Sequence, residues 1–194
     1  MRHFAIVGHR APSSGSINLN DLSGSGGRMD VLARAVSSAL FLSHSIREDT
    51  TITLHLMGGP GVPRRIRFNG ANVKGLHVDE RAIGGRIRSV ISDPVPPRGQ
   101  WVNHGHGIEH SGGDLETTLN EWKDNEIKSY ILSKEAPRLV KDSEELGELG
   151  FILSDDRPFN PDEEEIMSGI PCYSLGERWL QGHIAIAIVH HILD

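Results

Sequence analysis

The last fifth of the chain restricts the fold most: GFILSDDRPFNPDEEEIMSGIPCYSLGERWLQGHIAIAIVHHILD, starting at Gly150. Two short apolar runs, Phe151-Ile152-Leu153 and Cys172-Tyr173-Ser174-Leu175, each end in a polar or Gly-bearing turn. Between them lies an acidic segment, 161–167, with Asn160 as helix cap and Pro161 at the first helical position. The pattern predicts strand–helix–strand, and parallel strands need such a crossover because a tight hairpin cannot join them. In open parallel sheets ligands bind just beyond the carboxyl ends of the strands. That rule singles out Ser154-Asp155-Asp156 and Gly176-Glu177-Arg178-Trp179.

A chain of 194 residues suits one domain, 1–194, with a sizeable core. No apolar run approaches the roughly 20 residues that span a bilayer. Gly8-His9-Arg10 cuts the first apolar run short, so no signal pattern is expected and the reading is cytoplasmic. The single cysteine, Cys172, excludes an internal disulfide framework. Its apolar strand predicts a buried, inert thiol.

Charge is unevenly spread. The net charge is −6, yet residues 1–98 hold 13 Lys and Arg against 7 acids. Residues 99–194 hold 7 against 19. Twelve of the first 13 are Arg, whose planar fork suits phosphate. A basic surface on an acidic protein is one reading; scattered solvated charge is the other.

Taken in order, residues 2–8 read as a buried strand. Residues 9–27 are a loop ending in Gly24-Ser25-Gly26-Gly27. Such a turn before a helix can bind phosphate through free N–H groups, but no Walker or GxGxxG spacing is present, which favours a flexible loop. Residues 28–44 form a helix with Met29, Leu32, Ala33, Val36, Ala39 and Leu40 on one face. Residues 50–57 and 63–68 form a hairpin-like pair. Arg65 and Arg67 share one face of the second strand, Ile66 and Phe68 the other, and Asn69-Gly70 closes it. The arginine face is either solvated or a phosphate contact. Asp79 caps a helix to Ile91, with Glu80 at the positive end of its dipole. Segment 93–113 holds three prolines and five glycines and reads as a mobile loop. Its His104, His106, Glu109 and His110 match no standard metal spacing, so no metal is expected. A helix over 114–122, a strand over 128–132 and a Glu-rich helix over 143–149 follow. In 180–193, alternating Ile184, Ile186 and Ile188 suggest a strand, while Ile184, Ile188 and Ile192 share a helical face. Fourteen residues favour helix.

FILSDDRPF and SLGERWLQGHIAIAIVHHILD resemble the knotted half of the SPOUT methyltransferases. MRHFAIVGHRAP, GRMDVLARAVSSALFLSHSIRED and HVDER agree, narrowing the resemblance to the archaeal-type tRNA pseudouridine N1-methyltransferases (the TrmY family, related to Nep1). It covers nearly the whole chain. It implies an α/β, parallel-sheet SPOUT fold with a C-terminal trefoil knot over about 127–194. Periodicity alone would not suggest one, since true knots are almost absent from proteins.

The resemblance also implies S-adenosylmethionine as cofactor and methyl transfer to N1 of pseudouridine, at position 54 in the tRNA T-loop. Three loops would hold the cofactor, mainly through backbone groups: Leu132; Ser154; and Leu175, Gly176, Glu177, Arg178, Trp179 and Leu180. Ala185 would complete the pocket. Many relatives have Gly where Ser154 stands and Cys where Ala185 stands; backbone contacts survive both changes. Asp79 and Arg81 fall beside the implied substrate pocket, Asp79 as base or orienter of the proton on N1. Arg28, Arg65, Arg67 and Asn69 are candidate RNA contacts. A homodimer packed through the last helix is implied. The alternatives are a SPOUT enzyme with another RNA target, and a non-catalytic α/β module binding RNA or a nucleotide.

Overall fold

Phe4, Ala5, Ile6 and Val7 are all fully buried, so the first strand packs on both faces, as a continuous apolar run in a central strand must. In the computed structural model, which describes residues 1–141 and 147–194, this is β1 (Arg2–Pro12). The elements that follow are α1 (Met29–Leu40), β2 (Thr50–Gly58), β3 (Arg64–Asn69), α2 (Glu80–Ile91), β4 (Val102–Gly105) and β5 (Ile108–Gly112). Then come α3 (Leu115–Asp124), β6 (Lys128–Leu132), β7 (Leu149–Ser154), α4 (Pro161–Ile166), β8 (Cys172–Tyr173) and α5 (Gly182–Leu193).

The strands form one sheet in the order β4-β5-β3-β2-β1-β7-β6-β8. The pairings from β2 through β1, β7 and β6 to β8 are parallel, whereas β2–β3, β3–β5 and β5–β4 are antiparallel. The sheet is therefore mixed. Alternation along β1 sends Phe4 and Ile6 to the face carrying α1, α2 and α5, and Ala5 and Val7 to the face with Leu115, Trp122 and Met167. The crossover from β7 through α4 reaches β8, which pairs with β6 rather than with β7.

Local chemistry fixes the helix starts. Asp79 accepts from the Ala82 N–H, and Asp114 and Asn160 each form a capping box with the residue three further on. The first helix stops at Leu40, short of the expected 44, because Phe41 turns extended and bridges to Ile46.

Three expectations need correction. Segment 93–113 is not a mobile loop: it contains β4 and β5. Its glycines make the turn between them, where Gly105, His106 and Gly107 take φ of 89°, 55° and 74°. Cys172 is exposed, since β8 is a two-residue strand at the sheet edge. Residues 143–146 of the expected helix over 143–149 lie outside those described, and its last residue, Leu149, belongs to β7.

Candidate functional site

The strands β6, β7 and β8 end side by side, and the chain leaving each of them walls one cavity of about 730 Å³. Its apolar part comes from Ile131, Ile152, Leu153, Met167 and Ala185; Ser133, Ser154 and Asp155 add polar groups. The N-terminal end of α5, at Gln181 and Gly182, opens onto it. The volume lies within the usual 300–1,000 Å³ of small-molecule and cofactor sites. Of the nine residues expected around a cofactor, Leu132, Ser154, Leu175, Gly176, Arg178, Trp179, Leu180 and Ala185 line this cavity. Glu177 does not.

The loop after β8 is pinned from within. Ser174 Oγ donates to the Gly176 carbonyl at 2.8 Å and accepts from the Gly176 N–H at 3.0 Å. Gly176 takes φ 142°, which side-chain-bearing residues rarely adopt, and open space surrounds the place where a Cβ would stand. The wall opens to solvent at Trp179, 69% exposed, whose ring lies 5.7 Å from Lys134 Nζ.

The loop after β7 is held by two carboxylates. Asp155, 1% exposed in its side chain, accepts from the His9 N–H and from His9 Nδ1, both at 2.9 Å, and from the Arg157 N–H at 3.0 Å. His9 Nε2 meets Glu163 on α4 at 3.0 Å. Burial opposes a charge on His9, but its bonds to Glu163 and Asp155 outweigh that and raise its pKa. The His9 ring thus ties β1 to the loop after β7 and to α4. Asp156 pairs with Arg10 and, at 2.8 Å, with Arg28. Arg28 continues to Asp30 at 2.9 Å, and Asp30 to Arg34 at 2.5 Å. Arg34 reaches Glu80 at 3.8 Å, in the first turn of α2. Burial opposes the ionisation of Asp30, but Arg28, Arg34 and the Val31 N–H together outweigh it and hold the carboxyl low.

Asp79 and Arg81 do not line the cavity. Asp79 Oδ1 caps α2 at 2.8 Å from the Ala82 N–H, and Arg81 donates to Asn20 Oδ1 at 2.6 Å. Both are exposed, at the α2 end reached by the ion-pair chain from Asp156.

The expected RNA contacts are dispersed. Arg28 sits in the ionic chain, at φ 65°. Asn69 closes its own turn, accepting from the Ala71 N–H. Arg67 pairs with Glu109 at 2.7 Å and stacks 4.0 Å from the Trp101 ring. Arg65 is fully buried, bonded to Thr118, Ser111 and Glu121 under α3. A phosphate therefore does not reach Arg65 in this structure, a correction to its expected role. The strand does place both arginines on one face, but α3 covers that face at Arg65.

Sequence reasoning missed His9, Arg10 and Glu163. His9 and Arg10 lie in the terminal stretch of β1, so the carboxyl-end rule that found Asp155 could have found them. In sequence Glu163 reads only as one acid of the segment 161–167, and nothing there points to His9.

The family model described as "Putative SAM-dependent RNA methyltransferase" matches residues 1–194. A Methanospirillum hungatei protein named tRNA (pseudouridine(54)-N(1))-methyltransferase is 39% identical, over 100% of this chain and 96% of its own. A Methanosarcina acetivorans protein of the same name is 34% identical, over 100% of this chain and 91% of its own. Among solved structures, Archaeoglobus fulgidus Nep1 bound to S-adenosylhomocysteine is similar at TM-score 0.66 and 12% identity, covering 98% of this chain and 95% of that one. At that identity the likeness shows the fold. With the family model matching its whole length and such relatives aligned end to end, this chain belongs to that family of SAM-dependent RNA methyltransferases.

Proposed function

We propose that this chain methylates N1 of pseudouridine 54 in tRNA, the activity for which the Methanospirillum hungatei and Methanosarcina acetivorans relatives are named. The observation that carries the reading is the cavity at the carboxyl ends of β6, β7 and β8. It fits S-adenosylmethionine in size, in its apolar lining for a purine ring, and in the open space at Gly176. Bound there, S-adenosylmethionine supplies the methyl group. Leu132, Ser154 and the 175–180 loop hold the cofactor through backbone groups, Glu177 as part of that loop, with Ala185 beneath.

Attack by N1 requires loss of its proton. Asp155 is saturated by His9 and Arg157, and Asp156 by two arginines, so neither is available as acceptor. Asp79 is exposed and uses one oxygen on its cap; we assign it the proton, with Arg81 orienting the base. The chain Asp156–Arg28–Asp30–Arg34–Glu80 holds the α2 terminus in register with the cavity. Arg28, Arg67 and Asn69 are the proposed RNA contacts.

One domain spans 1–194, its C-terminal part from about 127 tied as a trefoil knot. Support comes from the lacing of the segment after β6 onto β8: Leu139 N–H bonds the Ser174 carbonyl at 2.8 Å, and Ser174 N–H bonds the Pro137 carbonyl at 2.7 Å. The active species is a homodimer formed through α5. That helix buries Ala185, Ile186 and Val189 inside its own chain yet leaves Ile184 41% exposed, with Ala187 beside it. A two-fold partner covers such a stripe most simply. Ile184→Asp is therefore expected to give a folded monomer by light scattering.

The deciding experiment is nucleoside mass spectrometry of T-loop RNA incubated with enzyme and S-adenosylmethionine. Methyl gain only where pseudouridine is pre-formed supports the proposal; methylation of uridine, or at another position, refutes the target. An RNA-binding module without enzymatic activity would shift RNA but show no rise in melting temperature with S-adenosylmethionine.

A further inference from the structure

We propose a divalent-metal site, of a kind suited to zinc, at the far edge of the sheet, built by Asp93, His104 and His110. One donor atom from each lies within 4.8 Å of the others. The residues come from three places: Asp93 just past α2, His104 on β4 and His110 on β5.

The hairpin explains why two of the three histidines in HGHGIEH converge and the third does not. Val102 pairs with His110 and Asn103 with Glu109, after which the register slips before Gly105 pairs with Ile108. His104 is the extra residue of that slip, and such bulges re-aim side chains at sheet edges. Its ring comes within 5.9 Å of the His110 ring, edge to face. His106 is consumed by the turn, and Glu109 turns to the other face to pair with Arg67. Asp93 supplies the third donor from outside the motif, which is why spacing within the motif matches no known metal pattern.

The chemistry of the set fits. His104 Nδ1 already lies 2.9 Å from Asp93 Oδ2, and its Nε2 lies 3.1 Å from Ser89 Oγ. A ligating histidine keeps its second nitrogen on such an outer partner, which fixes ring and tautomer. His110 is 2% exposed, and its Nδ1 is buried with no hydrogen-bond partner, a condition native interiors rarely leave to a polar nitrogen unless water or an ion serves it. Zinc bonds of about 2.0–2.1 Å set donors roughly 3.3 Å apart, so modest side-chain rotation closes the site. Two imidazoles and one carboxylate suit zinc, cobalt or nickel and not the all-oxygen shells of calcium or magnesium. A fourth position stays open to water. Arg64, whose Nη2 donates to the Asp93 carbonyl at 2.5 Å, places a positive charge nearby and moderates the affinity. Bound metal would stitch the edge hairpin onto the end of α2.

The test uses untagged, chelator-stripped full-length protein, titrated with Zn²⁺ by calorimetry and with Co²⁺ by visible absorption. The expected result is one equivalent per chain, intense cobalt bands of a four-coordinate site, and at least a tenfold weaker affinity in His104→Ala, His110→Ala and Asp93→Asn. His106→Ala, in the same hairpin, should bind as wild type. Because His110 is buried, the half-buried His104 and the exposed Asp93 provide variants less able to disturb folding. Zinc affinity unchanged in His104→Ala, or lowered equally by His106→Ala, overturns the site, as does wild type that takes up no metal.

Discussion

One sheet ends in two different ways. At its parallel end, β6, β7 and β8 stop together and leave a cavity of about 730 Å³, its polar groups mostly tied down from behind by His9, Arg10 and Ser174. At its antiparallel end, β3 carries Arg65 and Arg67 into contact with the Trp101 ring, at 4.6 and 4.0 Å, and pairs them with Glu121 and Glu109. Parallel strands need crossovers, and crossover loops can part to make a pocket. Antiparallel strands bring side chains directly opposite one another, as Arg67 and Glu109 are, while α3 brings Glu121 to Arg65. The same residue type, arginine, thus organises a pocket mouth at one end and, at Arg65, fills an interior at the other.

The largest expected effect breaks the antiparallel end alone. Arg65→Ala removes a fully buried guanidinium and leaves Glu121, Thr118 and Ser111 without it. Breaking a buried pair from one side costs about 3 kcal/mol. Urea unfolding should show that loss, while calorimetric affinity for S-adenosylmethionine stays within twofold. A matching fall in affinity would mean that the two ends are coupled and the contrast is false.

Gly176→Val probes the opposite end. A valine must adopt φ near 142° or reshape the loop that lines the cavity. Affinity for S-adenosylmethionine should fall about 100-fold, or about 2.7 kcal/mol. Unchanged affinity would remove the loop after β8 from the cofactor site.

Acid weakens the fold through buried histidines, two of them strongly shifted. Burial, then Arg65, pushes His55 down to about 3, and burial, then Arg47 and Arg2, pushes His190 on α5 down to about 4. His190 is built for neutrality: Nε2–H donates to the Ala39 carbonyl at 3.1 Å while Nδ1 accepts from Arg2 at 2.9 Å. A folded pKa below the unfolded value of about 6.5 means the native state binds fewer protons. The contribution is therefore full above pH 6.5 and is lost as pH falls towards 4 and 3. Each histidine adds a slope of up to about 1.4 kcal/mol per pH unit. Unfolding free energies at pH 6.5, 5.5 and 5 should fall accordingly, and His190→Gln should make that slope shallower. A slope identical in the variant would acquit His190.

The cavity end was far more legible than the edge. Strand, cap and crossover signals in 150–175 rest on local chemistry, so Asn160 and Pro161 start α4 as expected, and the carboxyl-end rule falls on Ser154, Asp155, Asp156, Gly176, Arg178 and Trp179 at the cavity; Leu132, Leu175, Leu180 and Ala185 are implied by the family resemblance instead. Beyond local range the signals fail. Nothing near Arg65 announces that α3, some 50 residues on, will cover it. Glycines in 93–113 looked like disorder because turn and loop share one composition; only pairing with β3 distinguishes them. The exposure of Cys172 follows from sheet order, which no single segment encodes.

The smallest effect separates Arg67 from Arg65, its neighbour on the same strand face. Arg67 is 30% exposed in its side chain and its partner Glu109 33%, so the pair adds under about 1 kcal/mol to stability. It also walls a second cavity, of about 380 Å³, with Trp101 and Thr53. There the guanidinium lies 4.0 Å over the Trp101 ring centroid and bonds the part-exposed Glu109 through Nε and Nη2, a pairing from which a phosphate can draw it. If tRNA recruits Arg67 from Glu109, Arg67→Ala should leave urea unfolding almost unmoved yet lower the slope of log affinity against log salt by about one. Glu109→Gln should act in the opposite sense, freeing the arginine and tightening tRNA binding. A salt slope unchanged in Arg67→Ala, with Glu109→Gln equally silent, would make Arg67 as internal as Arg65 and leave the antiparallel end without a role in RNA binding.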